Sequence, residues 1–369
     1  MQPFDPSSSL PPLYARWIDA LLRGPIPAET RATCDDCAMC APPGAPPDEG
    51  NYFSPRTKCC TYVPTVPNFL VGRALEDGDF AFSAGRATLE RRLDEGVGVH
   101  PLGVQAPARF SVLYDAGGPA AFGRAETLRC PHYLEEAGGR CGIWKHRNAI
   151  CATWFCKYER GAVGMAFWDR LRDLLKEVEW ALSTWCVLES GLDAAALESV
   201  FPPKPRPGTK LPMSAADVDG RPDPASARKV WGQWLGRERE FYRECGRRVG
   251  PLAWEDVARI GGADIAVQAR MTRQAHAELL SEKLPERLTP GTFQILSASP
   301  EAVRIVGYTG ADALDLPPEI LQVLPYFQGQ PTREALETIE SELGIRVEED
   351  LVRKLADFHI LADSRPGER

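Results

Sequence analysis

Apolar residues recur at helical spacing along much of the chain. Leu13, Tyr14, Trp17, Ile18, Leu21 and Leu22 predict a first helix, ended by Gly24-Pro25. Arg86 to Glu95 predicts a short second helix, closed by Gly96 and Gly98. The clearest pattern runs over 162–189, where Phe167, Leu171, Leu174, Val178, Ala181, Trp185 and Leu188 repeat in steps of three and four. Asp169, Arg170, Asp173, Lys176, Glu177 and Glu179 read as its polar complement. Two more helices are expected over about 226–249 and 263–283, separated by Gly250-Pro251 and Gly261-Gly262. Phe110, Val112 and Tyr114 alternate like a short strand, stopped at Gly117-Gly118.

The last eighty residues change character. Thr292–Leu296 and Ala302–Tyr308 are strand-like, and helical patterns follow at 318–327, 332–343 and 347–358. This alternation predicts a winged-helix-like module. The expected fold class is mainly α with a small α+β part: a cysteine-rich metal-binding domain, a helical region and a C-terminal winged-helix-like module. The boundaries are a metal or iron–sulfur domain over 1–200, a proline-rich linker over 201–224, a helical region over 225–287 and the module over 288–369. The linker holds seven prolines in 24 positions, which remove backbone donors and resist helix and sheet.

Composition narrows the function class. The chain is 44% hydrophobic and 25% charged, which is the composition of a folded protein. The first residues lack a basic stretch followed by an apolar core, and no apolar run spans a bilayer. A cytoplasmic protein with no membrane partner is expected. Residues 291–369 carry fourteen acidic and seven basic side chains. That balance argues against nucleic acid as a partner.

Cysteine placement carries the chemistry. Nine of eleven cysteines fall within 34–156: Cys34, Cys37 and Cys40, the pair Cys59-Cys60, then Cys130, Cys141, Cys151 and Cys156. Thiols two to four residues apart converge on one metal through a tight turn. Adjacent cysteines point apart and suit two different metals, or one ligand plus one free thiol. Lys58, Arg140, Lys145, His146, Arg147 and Lys157 lie beside them and offset thiolate charge. His132 and His146 sit inside the motifs as ligands, as donors to ligands, or as local hydrogen-bonding groups. Trp144, Trp154 and Trp168 flank the cysteines and would shield a cluster from water. Cys186 and Cys245 read as packing residues. Arg237, Arg239, Arg243, Arg247 and Arg248, interleaved with Glu238, Glu240 and Glu244, read as a solvated, salt-bridged face. Dinucleotide, Walker A, H-E-x-x-H and G-x-S-x-G patterns are absent from the sequence.

The runs Cys34-x2-Cys37-x2-Cys40, Lys58-Cys59-Cys60, Cys130-Pro-His-Tyr-Leu, Cys141-Gly-Ile-Trp-Lys-His-Arg and Cys151-x4-Cys156 resemble the YkgJ-type cysteine-cluster family, described as zinc- or iron-chelating. Flagellin lysine-N-methylases are similar in their cysteine framework. The resemblance covers roughly 30–160. It departs in the eighteen residues between Cys40 and Cys59, and in Asn148 where the family has proline. It implies Cys34, Cys37, Cys59, Cys60, Cys130, Cys141, Cys151 and Cys156 as ligands, with Cys40 a ninth, dispensable candidate. The expected cofactor is an iron–sulfur cluster, [4Fe–4S] before zinc, in one or two centres. A metal-binding role, an enzyme modifying a protein or peptide (a lysine methylase-like activity among them) and a structural zinc adaptor all remain open. The run 316–335 together with 350–361 is similar in layout to the peptide-recognition winged helix of ribosomal-peptide maturation systems. That layout implies a peptide or protein substrate held through 288–369.

Overall fold

The computed structural model describes residues 10–29, 34, 37–41, 52–136, 138–203 and 215–364. Most of the expected linker, 204–214, lies outside the described residues. The protein is mainly helical with small antiparallel sheets. It divides into two compact units: residues 1–28, 33–154 and 171–270, and residues 29–32, 155–170 and 271–369. Among the described residues, no helix is long and apolar enough to cross a membrane.

The first unit begins with α1 (Pro12–Leu22), which buries Leu13, Tyr14, Trp17, Ile18 and Leu21 as one stripe. It ends at Arg23, whose left-handed backbone (φ 54°) directs its N–H back to Asp19. Next come β1 (Val66–Pro67) and α2 (Asn68–Glu76), a helix buried almost all round. α3 (Ser83–Asp94) follows, then β2 (Val99–His100) and β3 (Gly103–Val104). The order of this small sheet is β1-β3-β2, with Val104 opposite both Val66 and Val99.

Residues 108–121 are helical (α4, Ala108–Ala121) rather than the strand that Phe110, Val112 and Tyr114 suggest. Positions 110 and 114 fit a four-residue period as well as a two-residue one. The helical alternative stacks the two rings 5.9 Å apart, and Tyr62 meets Tyr114 edge-on at 5.7 Å. Gly118 breaks the helix in a conformation (φ 53°, ψ −159°) open to glycine. A hairpin of β4 (Tyr133–Leu134) and β5 (Arg140–Cys141) leads to the one-turn helix α5 (Ala149–Thr153). α6 spans Gly161–Leu188. Behind it come α7 (Ala194–Val200), α8 (Ala215–Val218), α9 (Pro224–Trp231), α10 (Glu238–Val249) and α11 (Trp254–Leu279). The expected 226–249 helix is two helices, because Gly232 (φ 49°) and Gly236 (φ 78°) turn the chain between them. Its arginines do pair with acids: Arg237 with Glu240, Arg248 with Glu244, Arg239 with Asp94 and Arg247 with Glu76.

α2 and α10 cross through glycine. A Cβ at Gly72 would lie 1.7 Å from the Tyr242 carbonyl oxygen, and one at Gly246 would lie 2.8 Å from the Arg73 nitrogen. Side chains at either position would force the backbones apart.

The second unit contains β6 (Leu288–Pro290) paired with β10 (Leu361–Asp363), and a three-stranded antiparallel sheet of β7 (Gln294–Ala298), β8 (Val303–Val306) and β9 (Leu314–Leu316) in the order β7-β8-β9. Its helices are α12 (Ile320–Val323), α13 (Thr332–Leu343) and α14 (Glu349–Asp357). Ile305, Leu316, Ile320, Ile339, Val352, Leu355 and Phe358 share one core. β8, the second of the two strand-like runs, is the central strand and offers no free edge. The free edge that is exposed along its whole length is β7.

Residues 155–170 belong to this second unit. Arg160 grips Asp357 with two hydrogen bonds, of 2.7 and 2.8 Å, and Tyr158 donates its backbone N–H to Asp312. Truncation near residue 287 therefore strips partners from Arg160 and Tyr158. It should yield an insoluble or protease-sensitive chain. Asp357→Ala alone should cost on the order of 2–3 kcal/mol, because it leaves Arg160 partly buried without its carboxylate. Urea unfolding followed by far-UV circular dichroism measures this, and an unchanged midpoint would contradict it.

Candidate metal centre

Eight of the nine clustered cysteines lie in the first unit. The turn over 54–60 sets the first contacts. Thr57 and Lys58 donate backbone N–H groups to the Ser54 carbonyl, and Cys60 donates to that of Thr57. Lys58 takes a left-handed backbone (φ 48°), unusual for a residue with a side chain. That twist helps bury Lys58, which is only 6% exposed. Its Nζ donates to the carbonyls of Cys34 and, at 2.9 Å, Gly138. Thr57 and Thr61 clamp the turn onto the Gly123 backbone, each at 2.8 Å. Cys37 and Cys40 share a tight turn, with the Cys40 N–H donating to the Cys37 carbonyl at 2.9 Å. Cys40 then bridges to Phe53.

The second set is tied to the first through backbone. The Cys130 N–H donates to the Cys60 carbonyl at 2.7 Å. The β4–β5 hairpin places Tyr133 opposite Cys141, with the Gly142 N–H donating to the His132 carbonyl at 2.7 Å. Cys151 lies in α5, capped by Asn148, whose Oδ1 accepts the Cys151 N–H at 3.0 Å. Arg147 sits between these pieces. It is 5% exposed, stacks 3.3 Å over the Trp144 ring and donates at 3.0 Å to the Cys151 carbonyl.

The electrostatics join these thiols in one neighbourhood. Burial pushes the Cys141 thiol up to about 12, against the pull of Arg147 and with help from Cys34 and Cys59. Burial likewise raises Cys130 to about 12, with Cys141 adding to it, and raises Cys151 through Cys141, Cys130 and Cys59. Cys34 and Cys40 are each raised to about 12, first by burial and then by Cys59 and Cys37 respectively. Cys59 goes the other way. A hydrogen bond from Cys60 lowers it, and Arg147 and Lys58 reinforce that, while Cys60 is raised correspondingly. Arg147, itself destabilised as a cation by burial, is supported by Cys141, Cys34, Cys151 and Cys59. A buried cation facing only weakly acidic thiols favours their conversion to thiolates.

Cys156 falls in the second unit, where its thiol acts on Tyr158. Cys40, by contrast, is grouped with Cys37. Cys186 and Cys245 are buried in hydrogen-bond contact with each other on α6 and α10. No disulfide joins the eleven cysteines.

His132 is buried, with Nδ1 2.8 Å from the Thr88 hydroxyl and Nε2 without a partner among the described residues. His146 turns away from the thiols toward Asp77, at 3.0 Å. Trp144 forms the floor under Arg147. Trp154 is 48% exposed, and Trp168 is buried in the second unit with its indole N–H on Glu29 at 2.6 Å. Glu179 reads from sequence as part of a polar face. It instead accepts both the Tyr14 hydroxyl and the Ala149 N–H, bracing the start of α5. Its signal was one turn of spacing from Leu175, which is fully buried.

Burial raises the Glu179 carboxyl to about 8. The folded chain keeps this proton while the unfolded chain releases it near 4.5, so stability should fall as pH rises from about 4.5 to 8. Glu179→Gln should remove that part of the slope. Its stability relative to the parent should be better at pH 8.5 than at pH 5, as read by thermal melts; a pH-independent difference would contradict this.

Among the described residues, no three His, Cys, Asp or Glu side chains stand in a metal-coordinating arrangement. The donor chemistry does fit a thiolate-bound centre: soft sulfurs, half-buried except for the buried Cys130, and two buried cations acting on them. No family model, curated protein or solved structure matches this chain.

Proposed function

We propose that this protein is a cysteine-cluster metal protein whose first unit holds two [4Fe–4S] centres. The observation that supports the reading is that buried Arg147 acts on Cys141, Cys34, Cys151 and Cys59, and buried Lys58 on Cys34, Cys40 and Cys59. One set would be Cys34, Cys37, Cys40 and Cys59, beside Lys58. The other would be Cys60, Cys130, Cys141 and Cys151, beside Arg147. The adjacent pair Cys59-Cys60 would divide between them, because successive side chains diverge. Cys40 replaces Cys156 in this ligand set.

When bound, such clusters supply one-electron chemistry or fold stabilisation. This chain's residues do the rest. Arg147 and Lys58 offset thiolate charge, Asn148 fixes the turn that carries Cys151, and Glu179 braces that turn against α1. Zinc in the same sulfur sets is the alternative, separated by metal analysis. The second unit is read as a winged-helix-like module in which the exposed β7 edge receives an extended peptide segment. A cytoplasmic setting suits eleven cysteines without disulfides.

Two-centre ligation predicts separable losses. Cys59→Ser and Cys60→Ser should each lower iron by about four atoms per chain, and the double variant by about eight. Cys40→Ala should match Cys37→Ala, while Cys156→Ala retains the metal. Anaerobic iron assay of each variant checks this. Metal loss in Cys156→Ala with none in Cys40→Ala would restore the family-implied set and overturn this one.

A further inference from the structure

A cleft of about 490 Å³ opens on the first unit at the C-terminal ends of α2 and α10. Arg73, Glu76, Asp77, His146 and Arg247 line it, with the backbones of Gly78, Gly246 and Gly250. Most of its charges are matched. Arg247 lies 3.6 Å from Glu76, and Asp77 meets both His146 at 3.0 Å and Lys145 at 3.7 Å. Arg73 differs. Its Nε is buried without a hydrogen-bond partner, and no ion pair forms on it among the described residues. Burial disfavours the Arg73 cation, Arg16, held by the Gly250 and Leu252 carbonyls, adds to that, and the Asp77 and Glu76 carboxylates offset part of it without bonding to it.

An arginine with unspent donors, partly withdrawn from water, costs stability unless a partner arrives. The planar guanidinium matches the two oxygens of a carboxylate. The neighbouring Glu76 and Asp77 carboxylates repel a doubly charged anion more than a singly charged one. The glycine backbones let a ligand approach closely. The volume is that of a small-molecule site.

We propose that this cleft binds a singly charged carboxylate of a small molecule, held by Arg73. The site is separate from the cysteines: His146 faces the cleft, while the adjacent Arg147 faces the thiols. It therefore stands whether or not the chain carries iron.

The test uses the full chain, acetate and inorganic phosphate as probes, and titration calorimetry with thermal melts at low ionic strength. Acetate should bind saturably and raise the melting temperature. Arg73→Met should weaken acetate binding by about tenfold or more. The same variant should melt no lower than the parent without ligand, because it removes a cation that burial disfavours on balance and that has no bonded partner among the described residues. Arg259→Met, which removes an exposed arginine paired to Asp256, should leave acetate binding unchanged. Absence of saturable acetate binding, equal binding by Arg73→Met, or phosphate binding more tightly than acetate would each overturn the proposal. A marked drop in the ligand-free melting temperature of Arg73→Met would do the same, since it would give Arg73 a structural partner.

Discussion

Arg147→Met should sharply lower metal loading at both proposed sets while the chain still folds, because Cys141 and Cys151 belong to one and Cys34 and Cys59 to the other. Methionine keeps the apolar stem that lies against Trp144 and loses the charge that Cys141, Cys34, Cys151 and Cys59 share. Without it, Cys141 and Cys151 lose the cation that opposes burial and mutual repulsion, Cys34 and Cys59 keep only Lys58, and each must still release its proton to bind metal. Iron should fall by about half or more of eight atoms per chain, drawn from both sets. Arg147→Lys should recover part of it, because the charge returns but the stacked plane does not. Full iron content in Arg147→Met would remove the electrostatic basis of the assignment.

Gly72→Ala carries the largest expected effect on the fold. One methyl group would sit 1.7 Å from the Tyr242 carbonyl oxygen, a backbone atom that cannot rotate away. α10 would have to move, and with it the Tyr242 hydroxyl that donates to the His100 carbonyl at 2.8 Å. Overpacking of this kind should cost about 3 kcal/mol or more, a drop of about 6–12 °C in melting temperature. Gly246→Ala should be milder, since its closest approach is 2.8 Å. A melting temperature within a degree of the parent for Gly72→Ala would contradict the close crossing.

Which parts of this were legible in the sequence follows from physics. α1, α6 and α13 announce themselves because each buries one face and wets the other. α2 stayed hidden because it is buried almost all round. Asn68-Phe-Leu-Val-Gly-Arg-Ala-Leu-Glu has no alternating face to read, and its glycine marks a close crossing rather than a break. α4 was misread because Phe110 and Tyr114 satisfy two periods at once. In the candidate site, short spacing gathered Cys34, Cys37 and Cys40, but nothing local says that Cys60 meets Cys130. That contact is a backbone hydrogen bond across seventy residues. Asn148 looked like a departure from the family pattern and proves to be the cap that orients Cys151.

The most direct test of the central claim is metal and acid-labile sulfide analysis of the full chain, purified without oxygen. The account predicts a brown protein with about eight iron and eight sulfide per chain, bleached by chelation and acid. A colourless protein holding stoichiometric zinc, or one that remains folded with no metal and fully titratable thiols, would contradict it.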